Sequence, residues 1–525
     1  MFKRYVVFLL LLVAHVISGY SVASEIESVY KAINQDEEYD IDVYGESNLL
    51  SECDDGHFSD FNELYIAFIS PSLNTPMSYF GHSFLILKNK YGWDFSVVIS
   101  YSANISKYNR MIDILADGAS GHMQGEYVIS IFHEIKRYYT EVEQRSIIAY
   151  KIDLYDDALN AIINEVKAKN NNSYKYDFFT QNCSSEVARL LSPILSDIDS
   201  IIDKLLIKQP SMIVEMFKKN GFISTTPIVM ASSLEMLFYK YDKLNKRQIS
   251  LIESIESDPE NYLSNVHVLP KEKNHEVYDF IFEKKRIQFQ HFNDPGANYS
   301  DLISIPHKKQ YIDEFPDFIG TLPNTYPSRL SFSLMESRKN RFLVLGFMPS
   351  YLNRDELRFS ALNESTLKVL NIEIIQSSKD LRLNKLDILE LASYNKSFSD
   401  ISLPTWQFYL GYKDYFFNTE LKTLASFGYG VSVGSYNFLA SVVPVFSLET
   451  SGYTLSGQLL LSYWLQNHNL SYIRRMYIGP KKKNHLYCDY LHELDFSIRL
   501  NENLNVKLSF TGPIKTSSIS VGFRF

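Results

Sequence analysis

The last 200 residues of the chain repeat one pattern, in which apolar and polar residues alternate over segments of about ten residues. Twelve such segments follow one another between Ser328 and Phe525, separated by short turns. Alternation of this kind puts two sets of side chains on opposite faces of a strand, and its repetition is typical of a transmembrane β-barrel. A thirteenth segment, DELRFSA, falls in the same region and shows the alternation less regularly.

The final segment shows the alternation most clearly. Its two faces hold, respectively, Ile519, Val521, Phe523 and Phe525, and Ser518, Ser520, Gly522 and Arg524. A terminal aromatic residue on such a strand resembles the assembly signal of bacterial outer-membrane barrels. The alternative is a soluble β-sandwich, in which one apolar face packs on a second sheet.

The N-terminus has the features of a secretory signal peptide. Lys3 and Arg4 precede an apolar stretch over 5–17, and Ser21-Val22-Ala23 fits a small-x-small cleavage site. The stretch is shorter than the roughly 20 residues that a spanning helix needs, so we predict cleavage rather than anchoring. The predicted parts are a signal peptide over 1–23, a periplasmic α+β domain over 24–195, a helical segment and connector over 196–325, and the barrel over 326–525.

The charge of the chain argues against nucleic acid as a partner and suggests outer-membrane lipids. With 52 Lys and Arg against 61 Asp and Glu, the chain does not have the basic balance of a nucleic-acid-binding protein. Basic residues in the predicted outer turns suit contact with outer-membrane lipids such as anionic lipopolysaccharide, although solvated loop charges are an equally simple interpretation. These residues are Arg338, Lys339, Lys379, Lys413, Lys481, Lys482, Lys483 and Lys515.

Residues 61–193 have an α/β pattern. Short strands are predicted over 64–70, 84–87, 95–101 and 147–154, helices over 108–116 and 156–169, and a glycine-rich loop over 118–125. Residues 194–275 have helical spacing throughout. Residues 276–325 combine several prolines and glycines with little periodicity, which predicts a connector.

The three cysteines are Cys53, Cys183 and Cys488. A secreted protein stabilised by disulfides usually has an even and denser set. A Cys53–Cys183 bridge is the pairing that would block thiol chemistry. His57 lies close to Cys53, but the spacing matches no closed zinc site, so we predict no metal and no other cofactor.

Cys183 is predicted at the first position of a helix, directly after Asn182, a residue type that caps helix N-termini. Unpaired backbone N–H groups and the positive end of the helix dipole stabilise a thiolate there, which lowers the thiol pKa. The position therefore favours a reactive cysteine. The alternative is a small buried packing residue, as most free cysteines are.

His82 opens an apolar strand directly after Gly81. Alone it would be a core residue, but beside Cys183 its imidazole could take the thiol proton and later return it to a leaving group. A third polar group should orient the ring. Asn104, just after the next strand, is the first choice and Asp94, just before that strand, is the second.

Four motifs resemble those of the family named for the bacterial lipoprotein N-acyltransferase Lnb. They are FGHSFL at 80–85, SYSAN at 100–104, GHMQG at 121–125 and YKYDFFTQNC at 174–183, and they occur in the order of the family across about residues 60–195. The glycine loop departs from the usual aromatic–proline form, with His122 and Met123 at its centre. The resemblance implies a permuted papain-like, NlpC-type fold, and the family includes members with a following outer-membrane barrel.

The resemblance also implies thiol-dependent acyl transfer, with Cys183 as nucleophile and His82 as base. Cys183 would take an acyl chain from a phospholipid as a thioester and pass it to a lipoprotein or another amine, with backbone N–H groups as oxyanion donors. Tyr176, Asn182 and Ser184 are assigned to substrate binding or to the oxyanion. A cysteine peptidase or amidase acting on peptidoglycan, or a non-enzymatic barrel with a periplasmic binding domain, are the alternatives.

Overall fold

A computed structural model describes most of the chain. The described residues are 60–71, 81–105, 108, 111–153, 158–169, 172–195, 197–205, 207–224, 226–257, 271–291, 328–337, 340–352, 360, 362–377, 381–414, 422–449, 452–465, 468–480, 486–501, 503–512 and 516–524. The predicted signal peptide, Cys53, His57, nearly all of DELRFSA and every predicted basic turn residue except Lys413 lie outside these residues, so the predictions made for them remain predictions.

The chain divides into two compact units. The first unit comprises Met1–Tyr139 and Arg145–Met230, and the second comprises Thr140–Gln144 and Ala231–Phe525. The helical stretch after residue 195 is therefore divided between the two units. Its first part packs with the α+β domain, and its second part belongs with the barrel.

The described residues of the first unit form one antiparallel sheet of seven strands, in the order β6-β4-β3-β2-β1-β5-β7. The strands are β1 (Phe61–Ile69), β2 (His82–Asn89), β3 (Gly92–Ala103), β4 (Met123–Ile131), β5 (Ile147–Ile152), β6 (Tyr174–Tyr176) and β7 (Ile228–Met230). The four predicted strands are all present. The fold class, an α+β domain followed by a barrel, is confirmed, and the permuted papain-like arrangement remains a prediction.

Helices flank this sheet. They are α1 (Met111–Ser120), α2 (Phe132–Arg137), α3 (Ala158–Lys169), α4 (Cys183–Arg189), α5 (Ile198–Asp203) and α6 (Pro210–Lys219), with a π-helical turn, Tyr138–Val142, directly after α2. Phe132 and Ile135 of α2 pack with Phe84 and Ile86 of β2 in one buried cluster. Helices α3 and α6 pack on β1, whereas α4 packs on β2 and β3.

The predicted glycine loop over 118–125 is wrong at both ends. Helix α1 continues to Ser120, and β4 already begins at Met123. The glycines have another purpose, because they let rings approach the backbone. A Cβ atom on Gly118 would lie 2.3 Å from the Phe178 ring, and one on Gly125 would lie 2.5 Å from the Tyr101 hydroxyl. Both aromatic rings need these positions to stay glycine.

The second unit contains a closed barrel of twelve strands, which confirms the predicted number. Its strands are β8 (Arg329–Ser337), β9 (Asn340–Met348), β11 (Asn363–Gln376), β12 (Leu381–Ser397), β13 (Pro404–Asp414), β14 (Lys422–Gly434), β15 (Phe438–Glu449), β16 (Gly452–Leu465), β17 (His468–Pro480), β18 (Leu486–Arg499), β19 (Leu504–Gly512) and β20 (Thr516–Arg524). A short extra strand, β10 (Ser350–Leu352), pairs with β11. Pairing of β9 with β11 and of β20 with β8 closes the wall, which rules out a two-sheet sandwich.

The two faces of the barrel wall differ in polarity. Along β16 the exposed outer residues Leu455 and Leu465 alternate with the buried inner residues Ser456 and Gln458. The interior holds ion pairs such as Arg475–Glu493 at 2.6 Å, around a cavity of about 400 Å³. An apolar exterior and a polar interior are what a barrel surrounded by lipid requires.

Three helices of the second unit pack at one end of the barrel. They are α7 (Ser233–Lys243), α8 (Lys246–Glu256) and α9 (Lys271–His291). Their buried side chains share one cluster with Phe398 and Ile401, which lie between β12 and β13. This is also the end at which the chain enters β8 and leaves β20. Lys284 of α9 forms an ion pair with Asp400 there, at 2.5 Å.

Helix α9 corrects the prediction of a connector over 276–325, which is wrong for 276–291. Val277, Phe280, Ile281 and Ile287 are fully buried, and they recur at the spacing of one helix face. The charged residues between them hid this pattern in the sequence. Within the described part of the chain, no helix is both long and apolar enough to cross a membrane.

Candidate active site

Asn182 fixes the start of the helix that carries the predicted nucleophile. Its Oδ1 accepts the backbone N–H groups of Ser184 and Ser185 at 3.1 and 3.2 Å, and its Nδ2 donates to the carbonyl of Lys208 at 2.8 Å. Cys183 is therefore the first residue of α4, as predicted. The Asn182 side chain is occupied by this cap, and its assignment to substrate binding remains a prediction.

The Cys183 thiol is free and 5% exposed. Burial raises its pKa to about 11, although the backbone N–H groups of Ser83 and Ser184 donate to Sγ and Arg145 lies near enough to favour the thiolate. The low pKa expected from the sequence is therefore wrong for this state of the site. The helix start supplies the expected N–H donor. The free-energy cost of removing water from a thiolate is nevertheless larger than the stabilisation that these donors provide.

His82 lies on β2, next to the residue whose N–H group donates to Cys183. Its ring stacks on Tyr139 and tilts against Phe84, with centroids 6.1 Å apart in each case. Burial, helped by the positive charge of Arg145, lowers the imidazole pKa to about 3. Within the described ranges no hydrogen bond reaches the ring, from Cys183 or from any other residue. Thiol and imidazole approach the same stretch of β2, and both are neutral.

The two residues proposed to orient His82 lie at opposite ends of β3. Asp94 lies near the start of β3, where Gly92 pairs with Asn89, and its carboxylate lies 3.5 Å from His133 Nδ1. It is therefore too far along the strand to orient His82. Asn104 follows the other end of β3, at the end of the sheet where β2 begins, and its N–H donates to the carbonyl of Gln124. Its role remains a prediction.

Arg145 is a component of this site that the sequence did not indicate. It is 4% exposed, its Nε donates to the carbonyl of Ser70 at 2.8 Å, and its guanidinium lies 5.4 Å from the centre of the Tyr139 ring. Tyr139 in turn stacks on His82, so a cation, a phenol ring and an imidazole form successive layers. A single arginine ahead of an apolar strand carries no motif that would have revealed it.

Tyr176, assigned to substrate binding or to the oxyanion, lies beside the nucleophile. Its hydroxyl accepts the backbone N–H of Cys183, and burial, the largest cause, together with the nearby thiol raises its pKa well above the usual value. The ring stacks on Tyr101 with centroids 5.8 Å apart. Because the phenol stays protonated, it keeps its own O–H as a donor next to Cys183.

Two buried serines flank the thiol, and they differ in their hydrogen bonding. Ser184 Oγ lies 2.7 Å from Asn182 Oδ1 and 2.8 Å from the carbonyl of Lys208. Ser83 Oγ is fully buried and has no hydrogen-bond partner among the described residues. Ser184 thus belongs to the cap, and its substrate-binding role remains a prediction. Ser83 contributes an unused hydroxyl, which sequence reasoning also missed.

Metal ligation has no candidate in the described parts of the chain, where no three His, Cys, Asp or Glu side chains converge. The site instead contains a thiol, an imidazole, a guanidinium, a phenol and two backbone N–H donors. These groups suffice for nucleophilic attack on a carbonyl and for stabilising the charge that develops on its oxygen.

Residues 57–219 match the family model described as the Lnb N-terminal periplasmic domain. The match confirms the resemblance predicted from the four motifs, and it extends beyond them into α6. Among curated proteins, none matches the chain.

Solved outer-membrane proteins are similar to part of the chain. KdgM porin is 12% identical over 38% of this chain and 99% of its own, with a TM-score of 0.24. Outer membrane phospholipase A from Escherichia coli is 13% identical over 38% and 95%, with a TM-score of 0.22. Omp33 of Acinetobacter baumannii is 8% identical over 39% and 100%, with a TM-score of 0.20. Similarity at this level says nothing about activity.

The barrel lies in the outer membrane, and the first unit lies in the periplasm. The family model describes a periplasmic domain, and the closed barrel that follows has an apolar exterior. Because the number of strands is even, both ends of the barrel sequence lie on the same, periplasmic side. Helices α7, α8 and α9 therefore lie at the periplasmic end of the barrel, and the β17–β18 and β19–β20 turns lie at the outer end.

Proposed function

We propose that the periplasmic domain is a thiol-dependent acyltransferase that moves an acyl chain from a phospholipid to an amine, by resemblance the N-terminus of a lipoprotein. The observation that carries the proposal is the surroundings of one sulfur atom. The Cys183 thiol receives N–H donors from Ser83 and Ser184, and its own N–H donates to the Tyr176 hydroxyl. A packing cysteine has no need of such donors.

The first half-reaction forms a thioester. Cys183 Sγ attacks the ester carbonyl of the phospholipid and its proton passes to His82, while the N–H donors and the Tyr176 hydroxyl stabilise the oxyanion. The tetrahedral intermediate collapses, and the lysophospholipid alkoxide leaves with the proton from His82. The resting pair is neutral, so proton transfer accompanies formation of the C–S bond rather than preceding it.

The second half-reaction forms an amide. A neutral amine attacks the thioester carbonyl, and His82 takes the proton that the nitrogen loses. Collapse expels the Cys183 thiolate, which regains a proton from the imidazolium. Arg145 favours the thiolate form and disfavours the imidazolium. It therefore makes the sulfur a better leaving group and drives the proton back from His82.

Burial of the site supports transfer rather than hydrolysis. A thioester in contact with bulk water is lost to hydrolysis, whereas one in an enclosed site survives until an amine enters. Cys183 is nearly inaccessible, and Tyr176 and Tyr101 form an aromatic wall beside it. The same burial explains why the thiol is unreactive until a substrate replaces the surrounding contacts.

The decisive experiment measures the intact mass of the full-length protein after incubation with phospholipid of a single acyl composition. We expect one acyl chain to be added on Cys183, and its loss to an added lipopeptide amine. Cys183→Ala should abolish the adduct, and Cys488→Ser is the matched control that should retain it. Cleavage of peptidoglycan stem peptides with no acylated protein would contradict acyl transfer and support the peptidase alternative.

A non-enzymatic role has one observation in its favour, which is the neutral, buried state of the thiol. Under that alternative Cys183 only packs against the sheet, and the periplasmic domain binds a partner. Cys183→Ala would then leave the cellular phenotype unchanged, while deletion of β20 would abolish it through loss of the barrel.

A further inference from the structure

Between α2 and β5 the chain leaves the first unit and returns to it. Thr140–Gln144, which we call the turn segment, belongs to the second unit, whereas Tyr139 and Arg145 at its two ends belong to the first. The segment begins inside the π-helical turn, and Gln144 has a left-handed backbone, with a φ of 54°. A π-helical turn is rare and a left-handed backbone is strained for a residue other than glycine, so neighbouring contacts must hold both in place.

The contacts that hold the turn segment come from two helices of the second unit. Arg286 of α9 forms an ion pair with Glu141 at 2.9 Å, and its other terminal nitrogen donates to Ser233 Oγ at 3.0 Å. The N–H of Leu234, in the first turn of α7, donates to Gln144 Oε1 at 2.8 Å. Gln144 Nε2 in turn donates to the carbonyl of Glu141 at 2.6 Å. Both members of the ion pair are only 26% exposed, so water screens it less than it would screen a surface pair.

The two ends of the turn segment carry groups of the candidate active site. Tyr139 precedes the segment, and its ring stacks on His82 with centroids 6.1 Å apart. Arg145 follows the segment, and its guanidinium lies 5.4 Å from the centre of the Tyr139 ring. The N–H of Arg145 also donates to the carbonyl of Tyr139 at 2.8 Å, which closes the segment into a loop. A shift of the turn segment therefore moves both the ring that supports His82 and the guanidinium beside that ring.

We propose that Arg286 and Gln144 are positioning residues for His82: they hold the turn segment, and the segment holds the Tyr139 ring against the imidazole. Within the described ranges no hydrogen bond reaches the His82 ring, so its stack on Tyr139 and its contact with Phe84 orient it. The position of the imidazole is thus set by helices that pack at the periplasmic end of the barrel. The consequence for catalysis rests on the acyl transfer proposed above, whereas the geometric link does not.

The test measures, by mass spectrometry of the full-length protein, how fast the C2 hydrogen of His82 exchanges for deuterium. A buried, neutral imidazole exchanges slowly, and one that water reaches exchanges faster. Arg286→Gln and Gln144→Gly should each raise the rate by about three- to tenfold, since each removes hydrogen bonds to the turn segment. Glycine accepts the φ of residue 144, so the second variant removes the side-chain contacts without adding backbone strain.

Lys240→Gln is the matched control. It removes an ion pair between the same two helices, Lys240 with Glu283 at 4.0 Å, that lies outside the turn segment, so His82 should exchange as in the wild type. Heat-dependent gel migration and amide exchange of β1 show that each variant is folded. Unchanged exchange of His82 in both Arg286→Gln and Gln144→Gly, or equally raised exchange in Lys240→Gln, would overturn the proposal.

A double variant shows whether Arg286 acts through Glu141. His82 in Glu141→Gln, Arg286→Gln should exchange no faster than in Arg286→Gln alone, because both substitutions break one ion pair. A rate equal to the product of the two single effects would mean that the pair does not carry the effect, and would overturn this path.

The acyl adduct on Cys183, measured in the same samples, separates this inference from the proposed function. Arg286→Gln and Gln144→Gly should lower kcat for acylation by about three- to tenfold and leave the KM for phospholipid unchanged, because they displace the base and not the substrate. A KM that rises with kcat unchanged would contradict a positioning role. A wild-type protein that forms no adduct would contradict the proposed function, and the exchange rates would still decide whether the turn segment holds His82.

Discussion

The two units of this protein differ in how their buried ionisable side chains are held. Inside the barrel, charges are paired, as Arg475 is with Glu493 and Lys507 is with Asp495. In the periplasmic domain, burial keeps the thiol of Cys183 and the imidazole of His82 neutral, and the hydroxyl of Ser83 has no partner in the described structure. Removing one member of a buried ion pair leaves an uncompensated charge and destabilises the fold, whereas removing a neutral group that has no partner costs little stability. The comparison predicts that substitutions of these groups in the barrel mainly lower stability, whereas those in the periplasmic domain mainly change reactivity.

The largest effect on stability is expected inside the barrel. Asp387 is fully buried, and it binds Lys385 at 2.7 Å and the side-chain amide of Asn371 at 2.7 Å. Asp387→Ala leaves the buried ammonium without its nearest carboxylate, which costs about 3–5 kcal/mol. Urea unfolding of the barrel from lipid vesicles measures this change. The double variant Lys385→Met, Asp387→Leu should recover most of the loss, and a single-variant cost below about 1 kcal/mol would mean that lumen pairing is not structural.

The next effect is acid sensitivity of the periplasmic domain. The pKa of His82 is about 3 in the folded state against an ordinary value of 6.5. Between these two pH values the imidazole is protonated in the unfolded chain but not in the folded one. The free energy of unfolding is therefore highest above pH 6.5, and it decreases as the pH falls towards 3. At about pH 4 the loss should be about 3 kcal/mol, measured as the hydrogen-exchange free energy of β2. His82→Gln should remove this dependence. The same slope in wild type and variant would show that His82 is not buried as described.

A smaller effect concerns the reactivity of the thiol. Because the Cys183 pKa is about 11, alkylation should rise about tenfold per pH unit up to about pH 10, with no plateau near the usual value of 9. In Arg145→Lys the positive charge occupies a different position and stabilises the Cys183 thiolate less. Alkylation should therefore slow by about three- to tenfold at a fixed pH. Peptide mass mapping of iodoacetamide-treated protein reads the rate at Cys183. Faster alkylation in the variant would contradict the role assigned to Arg145.

The sequence predicts the barrel more completely than the site, for a physical reason. Lipid on one face and polar groups on the other impose a strict period of two, so each of the twelve segments was recognisable alone, from SRLSFSLMES to SSISVGFRF. Motif resemblance likewise located Cys183, His82 and Tyr176. Helix α9 was missed because the charged residues among its buried positions, such as Val277 and Phe280, masked the helical spacing of its apolar face.

The electrostatics of the site could not be read from the sequence, because they depend on enclosure. A helix start predicts a lower thiol pKa, and the expected N–H donor from Ser184 is present, joined by one from Ser83. Burial of the thiol, which is produced by residues far apart in the chain, turns the expected decrease of its pKa into an increase. Arg145 and Tyr139 reach His82 through the π-helical turn after α2, and no local pattern announces such a turn.

The smallest effect is the sharpest test of the comparison, because it sets two buried serines beside one thiol. Ser184 has hydrogen-bond partners and Ser83 has none in the described structure. Ser184→Ala should therefore destabilise the domain by about 1 kcal/mol, whereas Ser83→Ala should leave it unchanged or stabilise it by about 1 kcal/mol.

Activity should show the reverse order. Ser83→Ala removes a hydroxyl that folding does not use, so a loss of acylation at unchanged or higher stability would mean that the group is kept for catalysis. Ser184→Ala should lower acylation only as far as it loosens the cap on α4. Hydrogen exchange of β2 and α4 reports stability, and the acyl adduct on Cys183 reports activity in the same samples. If Ser83→Ala proved both stabilising and fully active, the unpaired hydroxyl would have neither a structural nor a catalytic role, and the contrast between the two units would rest on His82 and Cys183 alone.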